Sequence, residues 1–226
     1  MAIKKTIYLV RHGESLENIK PVLQSEDPDL SPLGLVQIEQ IAKKLSSINL
    51  DIIISSPLKR ALKTAEAIKK LNSADIETSK LFVEIRKPKS VEGKPYSDKK
   101  ANNIWREWLE TVFENGKRTE DSENYDDIIR RVDRALALLT ARDEKNIVIT
   151  SHGLFIKLIL ARILLGDDLN GKSFKRFVSQ LITDNTGITT LELSDAFEED
   201  FKWRLKTFND HSHLKNTKKP KGFNFN

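Results

Sequence analysis

Two short constructions, YLVRHG ending at Gly13 and VITSHG ending at Gly153, each run an apolar stretch straight into a histidine and a glycine. An imidazole placed this way can serve as nucleophile, proton carrier or anion ligand near neutral pH. Ligands of open α/β sheets gather beyond the carboxyl ends of the strands, so His12 and His152 are expected to share one crevice. Glycine after each histidine removes a side chain that would crowd a ligand against the backbone. Arg11 adds a guanidinium next to His12. SSPLKRALKTA, residues 55–65, supplies a second. If a helix begins near Leu58, Arg60 sits in its first turn, where the helix dipole disfavours a cation and an anionic partner would compensate. Arg11 and Arg60 could then fork onto one phosphate, the geometry guanidinium matches well. A helix opening at Gly153 adds free backbone N–H groups that also favour an anion.

The elements that must position these groups follow from the hydrophobic pattern. Residues 6–10 (TIYLV) and 51–55 (DIIIS) read as strands buried on both faces, as in a parallel sheet. Ser31-Pro32 opens a helix as N-cap and first-turn proline, with Leu35, Ile38, Ile41, Ala42 and Leu45 at helical spacing. A second helix spans about residues 58–71 and a long one about residues 125–142. The strand NIVIT (146–150) and an apolar helix to Leu165 follow. Strand–helix alternation predicts a three-layer α/β/α domain with a mostly parallel central sheet. Residues 187–193 and 201–208 alternate apolar and polar positions, which suits a closing pair of strands.

The chain of 226 residues fits one domain over residues 1–209, followed by a basic tail at 210–226. The net charge of +5 does not signal a nucleic-acid partner, because the tail alone carries +3 from Lys215, Lys218, Lys219 and Lys221 against Asp210. With no cysteine, disulfides and thiolate chemistry are excluded. No apolar run is long enough to span a bilayer, and no signal-like leader precedes the first strand, so the expected location is cytoplasmic. The pattern loosens at about residues 86–127, an excursion that could cover a site. Its first part, residues 86–100, holds six basic residues: Arg86, Lys87, Lys89, Lys94, Lys99 and Lys100.

RHGESLEN (residues 11–18), SSPLKRALKTA and the later SHG, in that order, resemble the histidine phosphatase superfamily, the phosphoglycerate mutase-like family. The resemblance covers most of the chain and fades after about Leu193. It implies that His12 is the nucleophile that becomes phosphorylated. Arg11, Arg60 and His152 would hold the phosphoryl oxygens, with Gly153 beside them and Asn18 as a further hydrogen-bond donor. Such a site needs no metal and no other cofactor, since the arginines neutralise the phosphoryl charge. The family also supplies an acid after the third strand. Glu84 stands at the matching place, although the glycine that commonly follows is replaced by the basic RKPKS, and Glu92 beside Gly93 competes for the role.

The expected activity is therefore hydrolysis of a small-molecule phosphomonoester. A phosphoglycerate-type phosphomutase is the first alternative; it ranks lower because residues 86–127 do not resemble the substrate-enclosing stretch of the glycolytic mutases. A non-enzymatic phospho-ligand binding protein on the same fold is the second. The basic loop hints at a substrate with a second anionic group. Neither the substrate nor the oligomeric state is written in the sequence. GDDLNGKS, residues 166–173, satisfies the Walker A pattern, but it follows a helix rather than a strand and brings two aspartates, so it reads as a helix cap and a solvated turn. His211 and His213 read as surface residues, and Trp105, Trp108 and Trp203 as packing residues.

Overall fold

The apolar runs become strands of one sheet. The computed structural model describes residues 3–194 and 202–214. Strands β1 (Ile3–Arg11), β2 (Ile52–Ser55), β3 (Asp75–Thr78), β4 (Asn146–Ser151), β5 (Ile188–Ser194) and β6 (Trp203–Asp210) lie in the order β3-β2-β4-β1-β5-β6. The first four positions are mutually parallel, whereas β5 runs antiparallel to β1 and β6 antiparallel to β5. The sheet is thus mixed, and the expected closing pair of strands forms its antiparallel edge. The short strand β3, whose sequence DIET is too polar to signal itself, is an element that periodicity missed.

Because strand side chains alternate between faces, each buried strand feeds two cores. Ile7, Leu9, Ile52, Ile54, Ile147 and Ile149 face a larger cluster built with α4 (Tyr125–Ala141), α5 (Gly153–Leu165) and α6 (Gly171–Gln180). Val10, Ile53, Val148 and Ile188 face a smaller cluster with α1 (Pro32–Leu45) and α2 (Lys59–Lys69). This gives the three-layer α/β/α arrangement. Ser31 caps α1 by accepting from the Gly34 amide, and Asn124 opens α4 with a reciprocal capping box to Asp127.

Residues 86–127 carry α3 (Lys99–Thr111), capped by Asp98. Trp108 and Val112 anchor this segment in the larger cluster, while Val91 and Ala101 pack on Leu23. Of the tail, residues 215–226 lie outside the described residues. Among the described residues no helix is long and apolar enough to cross a membrane.

Candidate active site

Strand register, rather than sequence proximity, brings the two histidines together. β1 and β4 are adjacent parallel strands in which Arg11 pairs with Ser151. The next residue on each is a histidine, so the imidazoles emerge side by side at the strand ends, with ring centroids 5.1 Å apart. The His12 amide continues the ladder by donating to Ser151 O at 3.0 Å. On the other side of β4, Ser55 pairs with Thr150, which places Ser56 next to His152. Both histidines are buried, His12 at 3% and His152 at 0% exposure.

Hydrogen bonds define which nitrogen of each ring bears the proton. His12 Nδ1 lies 2.7 Å from Gly13 O, an acceptor only, so Nδ1 carries the hydrogen. Its Nε2 lone pair accepts from Arg60 Nε at 3.1 Å. His152 has the opposite tautomer. Its Nδ1 accepts from Arg60 Nη2 at 3.0 Å, which leaves Nε2–H to donate to Ser56 Oγ at 2.9 Å. One guanidinium therefore bridges both imidazoles. Burial holds both histidines well below the usual imidazole pKa; Arg60 adds to this at each ring, joined by Arg11 at His12 and by His12 itself at His152. Both rings are neutral at neutral pH, the state a nitrogen nucleophile requires.

Arg60 lies in the first turn of α2, where the sequence placed it. Its third arm donates to Glu26 O at 2.8 Å, and burial pulls its pKa down to about 10, so it stays cationic at neutral pH. Arg11 leaves β1 and donates through Nη1 to Thr183 O. Its Nε is buried without a partner. Gly153 explains how Arg11 fits: a Cβ there would lie 2.9 Å from Thr183 Oγ1 and 3.3 Å from Arg11 Nε. The side-chain-free position is thus required by close packing of Thr183 first and Arg11 second over the start of α5.

The anion at the α5 N-terminus differs from expectation. Instead of open amides awaiting phosphate, Glu84 Oε1 accepts from Phe155 N at 3.0 Å and Ile85 N at 3.0 Å, and Oε2 accepts from Leu154 N at 3.2 Å. The helix end thus fixes a carboxyl group at the wall of the cleft. Glu92 does not reach that cleft; its Oε2 instead accepts from the Glu26 amide at 3.1 Å, and burial raises its pKa. Asn18 lines the cleft, but its Oδ1 accepts from Ser15 N at 2.8 Å, which leaves the amide NH2 as the end available to a ligand.

The cleft is lined by Arg11, His12, Asn18, Arg60, Glu84 and Gly153, all named from the sequence, and by groups that reasoning missed. Lys157 and Thr183 are the main omissions; Lys157 sits within an apolar helical pattern that reads as core, and Thr183 precedes β5 without any motif. Of the six basic residues at 86–100, only Lys87 lines the cleft. Trp105 and Trp108 pack on the larger cluster, as expected, and also wall the cleft. His213 is not a plain surface residue: its Nε2 is 3.0 Å from Thr186 Oγ1, and the Thr186 amide donates to Arg11 O at 2.9 Å. The Walker-like segment caps α5 at Gly166 with φ +52° and opens α6 behind the N-cap Asn170, so its second half is helical rather than a turn.

A family model for the histidine phosphatase superfamily (branch 1) matches residues 7–211. The chain belongs to this superfamily. An uncharacterized phosphatase of Bacillus subtilis is 28% identical over 211 residues, spanning 92% of this chain and 96% of that protein. A 2,3-bisphosphoglycerate-dependent phosphoglycerate mutase of Thermoplasma acidophilum is 32% identical over 150 residues, 65% of this chain and 70% of its own. The structure of an Entamoeba histolytica phosphoserine phosphatase, a histidine-to-alanine variant in complex with phosphoserine, is 26% identical with a TM-score of 0.72, covering 93% of this chain and 99% of that one. Histidine phosphatase relatives of this chain thus include both phosphatases and a mutase.

Proposed function

We propose that the protein hydrolyses a small phosphomonoester through a phosphohistidine on His12. The observation that carries this reading is the Arg60 bridge, which holds two neutral imidazoles with the unprotonated His12 Nε2 facing the guanidinium that would bind the phosphoryl group. In this reading substrate displaces the Arg60–imidazole contacts, and its phosphoryl oxygens take the guanidinium N–H groups of Arg60 and Arg11. The unpaired Arg11 Nε supports that assignment, because a buried donor without an acceptor is costly. His12 Nε2 attacks phosphorus, forming the P–N bond as the ester P–O bond breaks. Glu84 passes a proton, brought in by the phosphoryl group of the substrate monoanion, to the leaving oxygen. Glu84 carboxylate then takes a proton from water, whose oxygen attacks phosphorus, breaks the P–N bond and releases phosphate. Positive charge for the transition state comes from Arg11 and Arg60, so no metal ion is invoked.

The test is chemical trapping. Brief exposure to a labelled phosphoester, followed by denaturation, should leave an acid-labile label on the peptide bearing His12, absent in His12→Ala. A protein that binds esters across a broad panel yet never acquires the label would be a binding protein and not this enzyme. The mutase relative supports a second reading, in which the phosphoryl group passes to a bound acceptor instead of water. Incubation with phosphoglycerates separates them, because isomerisation without phosphate release would exclude the hydrolase.

A further inference from the structure

Four residues of the cleft are placed by regular elements. Arg11 ends β1, His12 and His152 follow strands directly, and Arg60 lies in the first turn of α2. Glu84 has no such support. Residues 83–88, which carry it, form neither helix nor strand, so side chains rather than a ladder must fix their path. The sheet reaches this segment at Phe82 O, which accepts from Ser151 Oγ at 2.7 Å. From there on the ties converge on one ion pair. Arg131, on α4, donates through Nη1 to Leu81 O at 3.1 Å and to Val83 O at 2.7 Å. Its other edge forks onto Glu123, Nε to Oε1 at 2.9 Å and Nη2 to Oε2 at 2.8 Å. Glu123 in turn grips the far side of Glu84. Its Oε2 accepts from Arg86 N at 2.9 Å, and its own amide donates to Arg86 O at 2.9 Å.

The pair also touches the other support of Glu84. The Arg131 guanidinium lies 4.2 Å over the Phe155 ring, and the Phe155 amide is a donor to Glu84 Oε1. Both side chains of the pair are only 12% exposed, so solvent and salt screen it little. Nearly all the guanidinium donors are committed in a planar fork that an ammonium cannot reproduce. We propose that Arg131, together with Glu123, is a positioning residue for the acid–base step, holding the chain on both sides of Glu84 so that its carboxyl group meets the leaving oxygen. The proposal rests on the role given to Glu84 above. Such precision matters because a misplacement of about 1 Å can cost about 10²-fold in rate.

A double-mutant cycle between Arg131→Lys and Glu84→Gln, read on two esters, tests it. Against an alkyl phosphate, whose leaving oxygen needs a proton, Arg131→Lys should lower kcat about 10–100-fold with KM unchanged. Against 4-nitrophenyl phosphate, whose leaving group needs none, single-turnover release of nitrophenolate should keep its wild-type rate. With Glu84→Gln already in place, Arg131→Lys should cost nothing further on the alkyl ester, because the group it positions is gone. If Arg131→Lys folds poorly, Glu123→Gln takes its place in the cycle. Equal losses on both esters in the Arg131 variant, or the same loss with and without Glu84, overturn the proposal and leave the role of Glu84 intact. Equal losses on both esters in Glu84→Gln itself overturn that role and the proposal together. If no ester turns over, hydrogen exchange decides, since the Leu154 and Phe155 amides donate to the Glu84 carboxyl group. Arg131→Lys should speed their exchange by about 10-fold, the worth of one hydrogen bond; unchanged protection overturns the proposal.

Discussion

Glu84→Gln separates the proton-transfer role proposed for this side chain from its structural one. Glutamine is nearly isosteric, and its Oε1 can still accept from Ile85 N and Phe155 N, as Glu84 Oε1 does at 3.0 Å. The amide nitrogen would then face Leu154 N, turning one 3.2 Å hydrogen bond into a contact between two donors. The stability cost of that loss is about 1–2 kcal/mol, which lowers Tm by about 2–8 °C for a chain of this size. The fold survives; the chemistry does not. Loss of general acid–base catalysis costs about 10²–10⁴-fold, but only where a proton is needed. An alkyl phosphate has a poor leaving group and should show the full loss. 4-Nitrophenolate leaves without a proton, so His12 should still be phosphorylated quickly by 4-nitrophenyl phosphate, while hydrolysis of the phosphohistidine stays slow. Stopped-flow absorbance should therefore show a burst of nitrophenolate stoichiometric with enzyme, then a slow phase. Equal losses for the two esters with no burst would refute the reasoning, as would a Glu92→Gln variant that shows the same leaving-group dependence.

Two further outcomes are expected. The pKa values of His12 and His152 are depressed in the folded protein, so as pH falls through about 6.5 the unfolded chain takes up their protons first. Stability is therefore complete above that pH and declines below it, by about 3 kcal/mol for the pair at pH 5.5. His213, pushed down to about 4 by burial, acts in the same direction. Urea melts at pH 8 and pH 5.5 should show the decline in wild type and a smaller one in a His12→Gln/His152→Gln double variant, which retains His213; an equal decline would mean that the burial of these two rings is not its source. Gly153→Ala should fold but lose about 10–100-fold in kcat/KM, because its Cβ would crowd Arg11 Nε at 3.3 Å as well as Thr183 Oγ1 at 2.9 Å. Adding Thr183→Ala removes the nearer clash and should restore part of the rate, and a double variant no faster than the single one would show that the hydroxyl is not the obstacle.

Burying two imidazoles against two arginines ties these effects together. The arrangement keeps His12 neutral at the expense of acid stability, and it leaves Arg11 Nε without an acceptor. A phosphoryl dianion entering the cleft would supply the missing negative charge, so in the proposed function ligand binding and stability are linked. Phosphate or vanadate should accordingly raise Tm.

Local chemistry made much of this protein legible from its sequence. Apolar β-formers ending abruptly in His-Gly marked β1 and β4, Ser31-Pro32 marked the start of α1, and a guanidinium in the first turn of α2 marked Arg60 as a residue of the cleft. Each of those signals depends on residues a few positions apart, within reach of propensity and capping rules. The rest depended on contacts between distant segments. Only strand order placed β4 between β1 and β2, so that the register of Arg11 with Ser151 brought His12 beside His152 and left Ser56 to fix the second ring. Only packing could show that the amides opening α5 are occupied by Glu84, since the two lie 70 residues apart in sequence. Lys157 was hidden for the same reason. Periodicity assigns a position to a buried face, but it cannot say whether that face meets other side chains or the wall of a cleft.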